Sequence, residues 1–194
     1  MKKTIIMLCL ALVSWGANAQ HDHSKMSHSE NKNSEMMDNS SLSSSIKVGF
    51  SRSVTSIVDN YLALKNALIE DNSKKAADSG KMLYQAIVNF NSPEQSESQK
   101  NEIKDILEDA KEHAEHISEN RNDIGHQREH FEILSKDIKD LVLITGADRT
   151  LYQIFCPMYN KGAIWLSESN EIRNPFFGSK MMKCGEVQQK ITVK

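Results

Sequence analysis

The chain has 194 residues, with 24 basic and 26 acidic side chains and a net charge of −2. So mild an acidity argues against nucleic acid as a partner, which would ask for a concentrated basic face. Beyond the N-terminal run no stretch is long and apolar enough to read as a membrane helix. No Gly-rich phosphate loop, nucleophile elbow or HExxH motif is present, and an enzyme is not expected.

Residues 1–19 read as a secretory signal. Lys2 and Lys3 form a basic start, Ile5 to Trp15 a short apolar core, and Ala17-Asn18-Ala19 a small-x-small cleavage site. Cys9 follows Leu8 rather than a small residue, so no lipid anchor is expected. The expectation is a periplasmic or secreted protein, cut near Ala19 and without membrane insertion.

Residues 20–48 read as a disordered tail. The stretch is rich in Ser and Asn and has almost no branched apolar residue, too little to offset the entropy of ordering it. Its composition is nevertheless unusual for a linker. His21, His23, Met26, His28, Met36 and Met37 supply imidazoles and thioethers, both of them copper ligands. The plain alternative is a flexible leader.

From Gly49 to Gly146 the apolar residues recur at helical spacing. The first helix, at about 51–71, carries Val54, Ile57, Val58, Tyr61, Leu62 and Leu68. The second begins near Ser73 and carries Ala76, Ala77, Leu83, Ile87 and Phe90, with Gly80 a weak point inside it. Asn91-Ser92-Pro93 is a turn, with Pro93 at a favoured helix start. The third helix runs to about Asn120 along the stripe Ile103, Ala110, Ala114 and Ile117. The fourth opens after Asn122-Asp123 with Phe131, Leu134, Ile138 and Leu141 on its apolar face, and stops at Gly146. The predicted fold is mainly α, an up-and-down antiparallel four-helix bundle, with residues 49–194 forming the bundle and a small irregular or β C-terminal cap.

Four histidines are placed by this pattern. His113 and His116 lie three apart, and His126 and His130 four apart, so each pair shares a helix face. Counting outward from the turn near Arg121, His116 is level with His126 and His113 with His130. A four-histidine patch binding Zn²⁺ or Cu²⁺ is one reading; a solvated, highly charged face is the other. Gln127 points at the core, where it satisfies a buried backbone or hydroxyl group, with Ser135 as a candidate partner.

The C-terminal stretch changes character. Leu151 to Phe155, Ala163 to Leu166 and Glu186 to Val193 read as strand-like runs, separated by turns at Asn160-Lys161-Gly162 and Asn174-Pro175. Within it stand Cys156-Pro157-Met158 and Met181-Met182-Lys183-Cys184-Gly185. Cys156, Met158, Met181, Met182 and Cys184 make a soft-ligand set of the kind that selects Cu(I). Equally, two cysteines in an oxidising compartment would make a disulfide, Cys156 to Cys184, and the methionines would only pack.

The segments HISENRNDIGHQREHFEILSKDIKDLV and LYQIFCPMYNKGAIWLSESNEIRNPFFGSKMMKCGEV resemble an uncharacterised family of exported bacterial domains. Such domains occur alone or fused to heavy-metal efflux adaptors, the membrane-fusion subunits of copper, silver, cobalt and zinc exporters. The likeness runs from about residue 50 and is most specific in CPMYN, WLS, NPFFG and MMKCG. It implies a periplasmic role near soft-metal handling and carries over Cys156, Met158, Cys184 and one of Met181 and Met182; it brings no enzymatic activity.

Together these features predict a metal-binding protein, for copper or another soft heavy metal, acting as a scavenger, chaperone or donor to an efflux system. The alternative is an interaction module that docks on an efflux adaptor, with a structural Cys156–Cys184 disulfide and no metal.

Overall fold

The computed structural model describes residues 44–91 and 95–194. The expected signal at 1–19 and the candidate tail ligands His21, His23, Met26, His28, Met36 and Met37 lie outside the described residues. In chain order the elements are β1 (Ser44–Val48), α1 (Thr55–Ile69), α2 (Ser73–Val88), α3 (Glu97–Glu119), α4 (Ile124–Thr145), β2 (Leu151–Cys156), β3 (Ala163–Ser167), a 3₁₀ turn (Gly178–Lys180) and β4 (Glu186–Val193). The fold is four helices with a small mixed sheet.

Each of α2, α3 and α4 starts at a side chain that satisfies a free N–H group of the first turn. Asn72 accepts from the Lys75 N–H before α2. Ser96 and Gln99 make a reciprocal capping box before α3. Asp123 accepts from the His126 N–H before α4. Thus α3 begins at this box; Pro93, the expected start, lies outside the described residues. α4 ends at Gly146, whose φ of 85° belongs to the left-handed region where glycine is favoured.

The apolar stripes meet in one core. Tyr61, Leu64 and Leu68 of α1, Leu83 of α2, Ile117 of α3, and Phe131, Leu134 and Ile138 of α4 are fully buried. Each such side chain contributes about 1.5–3 kcal/mol relative to its exposed state. Gly80 is a contact point rather than a flaw. A Cβ there would lie 2.9 Å from Ile117 Cγ2 and 3.1 Å from the Ala114 carbonyl, so only glycine lets α2 approach α3 this closely.

The C-terminal region is more regular than the sequence predicts. Four strands form one sheet in the order β1-β4-β2-β3. β2 pairs antiparallel with both β3 and β4. β1 pairs parallel with β4, Ser44 opposite Gln189 and Val48 opposite Val193. This corrects the boundary of the tail: residues 44–48 of the predicted disordered 20–48 segment belong to the folded unit. The serines of SSIKV hide a strand whose partner lies at the other end of the chain, and the pairing brings Val48 into the core at 5% exposure.

Tyr61 ties the sheet to the helices. Its hydroxyl accepts from the Leu166 N–H at 3.0 Å and shares a 2.9 Å hydrogen bond with Ser135. Ser135 is therefore committed to Tyr61 and not to Gln127. Gln127 instead donates to the backbone carbonyls of Ser73 (2.9 Å) and Ile117 (3.2 Å). Among the described residues no helix is long and apolar enough to cross a membrane.

Candidate metal-binding site

The helical register brings His113, His116, His126 and His130 together between α3 and α4. Nδ1 of His113 lies 2.8 Å from Nδ1 of His130. Nε2 of His130 lies 3.1 Å from Nε2 of His126. The His116 ring stacks on His130, with centroids 4.5 Å apart and planes 4° from parallel, while the His116 and His126 centroids are 6.5 Å apart. One ligand nitrogen from each of His116, His126 and His130 falls within 4.8 Å of the others. Three convergent imidazoles can hold one transition-metal ion and leave a position open for water or an exchanging ligand.

Burial grades across this cluster. The side chains of His116 and His126 are 43% and 38% exposed, so an ion could reach them from solvent. His130 lies deeper: burial first, then the neighbouring His113, His116 and His126, pull its pKa down to about 4. At neutral pH it is uncharged, the form a metal ligand requires. Glu129 sits 3.1 Å from Nδ1 of His126 and Glu112 3.9 Å from Nε2 of His116, acids that orient or partly neutralise the rim.

His113 is the most enclosed of the four, at 8% exposure. Its Nδ1 meets His130 of the triad, while its other nitrogen faces away. Its Nε2 faces Asp109 Oδ1 at 3.4 Å, and with Asp109 and Asp137 it forms a second group whose ligand atoms all lie within 4.8 Å. The sequence pattern pointed to four equivalent histidines; the structure places three in one group and one in another. Asp109 and Asp137 were missed in the sequence. The usable signal was spacing, since Asp109 is four residues before His113 and Asp137 seven after His130, each on its histidine's face.

Cys156 closes β2 and is fully buried; Cys184 follows the 3₁₀ turn and is half-buried. Both are free thiols, with their sulfurs 2.8 Å apart. Burial, and then Cys156, push the Cys184 thiol up to about 11, opposed by a hydrogen bond with the Met158 backbone. The thioethers are placed less favourably. Met158 is 65% and Met181 41% exposed, and Met182 is half-buried. Asn174 holds this region in place: its Oδ1 accepts from the N–H groups of Phe176 (2.8 Å) and Phe177 (3.1 Å), and its Nδ2 donates to the Cys184 carbonyl at 2.7 Å. Asn174 thus joins NPFFG to MMKCG.

A second buried polar centre escaped the sequence reading. Arg128, 7% exposed, donates through Nε to Pro175 O (2.8 Å) and through one terminal nitrogen to Leu68 O (2.9 Å) and Asp71 (2.6 Å). Asp71 in turn accepts from the Ser179 N–H at 2.9 Å. Burial raises the Asp71 pKa, but the hydrogen bonds of Ser179 and Arg128 outweigh it and hold the carboxyl at about 2. This clamp joins the end of α1, α4 and the chain around the 3₁₀ turn.

No curated protein and no solved structure matches the chain. The motifs CPMYN, WLS, NPFFG and MMKCG, where the resemblance was most specific, fall outside the family match that is found. Residues 57–150, covering α1 to α4 up to the start of β2, match the family described as a protein of unknown function, DUF3347.

Proposed function

We propose that this protein binds a transition-metal ion at His116, His126 and His130, and that it captures and carries copper outside the cytoplasm, as a scavenger or as a donor to an efflux system. The observation that carries the proposal is the convergence of three imidazole nitrogens within 4.8 Å on two adjoining helices. The reading takes the helices as an up-and-down antiparallel bundle, in which the turn between α3 and α4 pairs the two histidine-bearing faces. Imidazole suits Cu²⁺, Zn²⁺ and Ni²⁺, and Cu²⁺ heads the affinity order for a nitrogen site. Two rim histidines more than a third exposed suit an ion that must be taken up and released, whereas a structural site would be closed.

The test is a Cu²⁺ titration against a competing chelator, read by nitrogen hyperfine structure in the electron paramagnetic resonance spectrum. His116→Ala with His126→Ala should remove the tight component and its three-nitrogen signature. Retention of both in the double variant refutes the proposal.

A second reading rests on the 2.8 Å approach of the Cys156 and Cys184 sulfurs. Here the pair closes as a structural disulfide, and a helical face docks on a heavy-metal efflux adaptor. The same two thiols, with Met158, Met181 and Met182 beside them, are the candidate soft site for Cu(I). Thiol counting on protein purified without reductant, with and without copper, separates these roles.

A further inference from the structure

Beside the histidine triad, the α3–α4 interface holds a group that the triad does not use. His113 is 8% exposed, and its Nε2 has only the 3.4 Å approach of Asp109 to answer it. Asp137 Oδ2 is buried and has no hydrogen-bond partner among the described residues. The nearby cations are committed elsewhere: Lys136 bonds Glu132 at 3.1 Å and Lys139 bonds Asp140 at 3.0 Å. Lys136 acts on Asp137 only at a distance, so the buried carboxylate oxygen, beside a second carboxylate and an enclosed imidazole, has no cation bonded to it.

We propose that Asp109, His113 and Asp137 form a second cation site, for a divalent metal of borderline hardness such as Zn²⁺, adjoining the histidine triad and competing with it. Two carboxylates and one imidazole within 4.8 Å are a ligand set that Zn²⁺ accepts, where the all-imidazole triad favours Cu²⁺. Burial first, then the like charges of Asp109 and Asp140, push the Asp137 pKa up to about 7 against the opposing Lys136, the direction expected of a carboxylate crowded by negative charge.

The competition follows from counting protons, and this part alone rests on the triad reading. A neutral imidazole carries one N–H. When His130 binds a metal through Nε2, its proton sits on Nδ1 and is donated across 2.8 Å to Nδ1 of His113. His113 then keeps its own proton on Nε2, facing the aspartates. When His113 instead binds a cation through Nε2, its proton moves to Nδ1 and is donated to His130. The His130 proton then lies on Nε2, the nitrogen that faces His126. Neutral rings therefore serve one site or the other, and filling both requires an extra proton to leave.

Equilibrium dialysis of the full chain with Zn²⁺ at neutral pH tests this, comparing His126→Ala with His126→Ala/Asp137→Asn. Any metal taken up by the tail is common to both variants and cancels. The expected difference is one Zn²⁺ per chain, held by His126→Ala and absent from the double variant. Equal Zn²⁺ content overturns the second site. Competition is read separately in the wild type, where saturating Cu²⁺ should weaken this Zn²⁺ by about tenfold or more. If the Zn²⁺ difference appears but Cu²⁺ leaves it untouched, the competition is overturned while the second site stands, and the triad is judged by its own Cu²⁺ titration. Should Asp137→Asn fold poorly by circular dichroism, Asp109→Asn, whose side chain is 53% exposed, replaces it with the same expected loss.

Discussion

The histidine cluster and the sulfur-rich cap both began as pairs of metal-ligating residues in the sequence, yet the fold treats them differently. His113 and His130 stand 17 positions apart on two long helices joined by a tight turn, so helix periodicity and the turn together fix which rings meet. Cys156 and Cys184 stand 28 positions apart across a strand pair, a 3₁₀ turn and irregular chain, and their meeting depends on Asn174 and the Arg128 clamp. His116, His126 and His130 keep one nitrogen each within 4.8 Å of the others, two of the rings more than a third exposed. The cap brings two thiols into contact but leaves Met158 and Met181 substantially exposed. Regular elements concentrate ligands by geometry alone, whereas the cap needs buried polar bonds to do so.

Substitutions should separate the two regions. The largest effect expected is on the histidine side: His116→Ala with His126→Ala should weaken Cu²⁺ by about a thousandfold, since even outer-shell changes cost ten- to a hundredfold. Both residues are partly exposed, so the melting temperature should stay nearly unchanged. An equal loss of Cu²⁺ in Cys184→Ser would erase the distinction. Next comes the cap. If the two thiols close under oxidising conditions, Cys184→Ser should cost about 3–4 kcal/mol in urea denaturation, from the loss of a constraint on the unfolded chain. Reductant should lower the wild-type midpoint and leave the variant unmoved; a midpoint indifferent to reductant in both would show that no disulfide forms.

Arg128→Ala should cost about 3 kcal/mol, because it strands Asp71 and the carbonyls of Leu68 and Pro175. Hydrogen exchange would show the loss concentrated between residues 174 and 185, and an unchanged exchange pattern there would disprove the clamp. Met158→Leu sharpens the comparison further. As a volume-conserving change at an exposed site it should cost less than about 1.5 kcal/mol. Cu²⁺ affinity should be untouched, and a fall in Cu(I) affinity of the reduced protein would establish the thioether as a ligand.

The smallest effect is a pH dependence. His130 has a folded pKa of about 4, below its ordinary value, so between about pH 6.5 and 4 the unfolded chain takes up a proton that the folded chain refuses. Stability is therefore fully present above that window and declines as pH falls through it. His130→Gln should flatten this slope, and an identical pH profile in the variant would mean that His130 is not the group responsible.

Helix periodicity located α1 to α4, Asp123 and Gly146 marked the two ends of α4, and the i, i+3 and i, i+4 spacings put each histidine pair on one helix face. These are local properties, written in runs of a few residues. What depends on distant partners was not legible. β1 reads as tail in the sequence because its pairing with β4 links positions some 145 residues apart, and the short run SSIKV carries little strand signal alone. Ser135 is a candidate partner of Gln127 in the sequence, while Tyr61 from α1 takes it in the fold.

The sequence by itself determined four amphipathic helices and their order, and offered the pairing of two histidine-bearing faces as one of two readings, because a 3.6-residue period and a short turn leave few other arrangements. Only the tertiary structure divided the four histidines into a triad and a lone ring facing Asp109 and Asp137. That division turns on ring rotation and burial, which are set by every side chain packed against α3 and α4 at once.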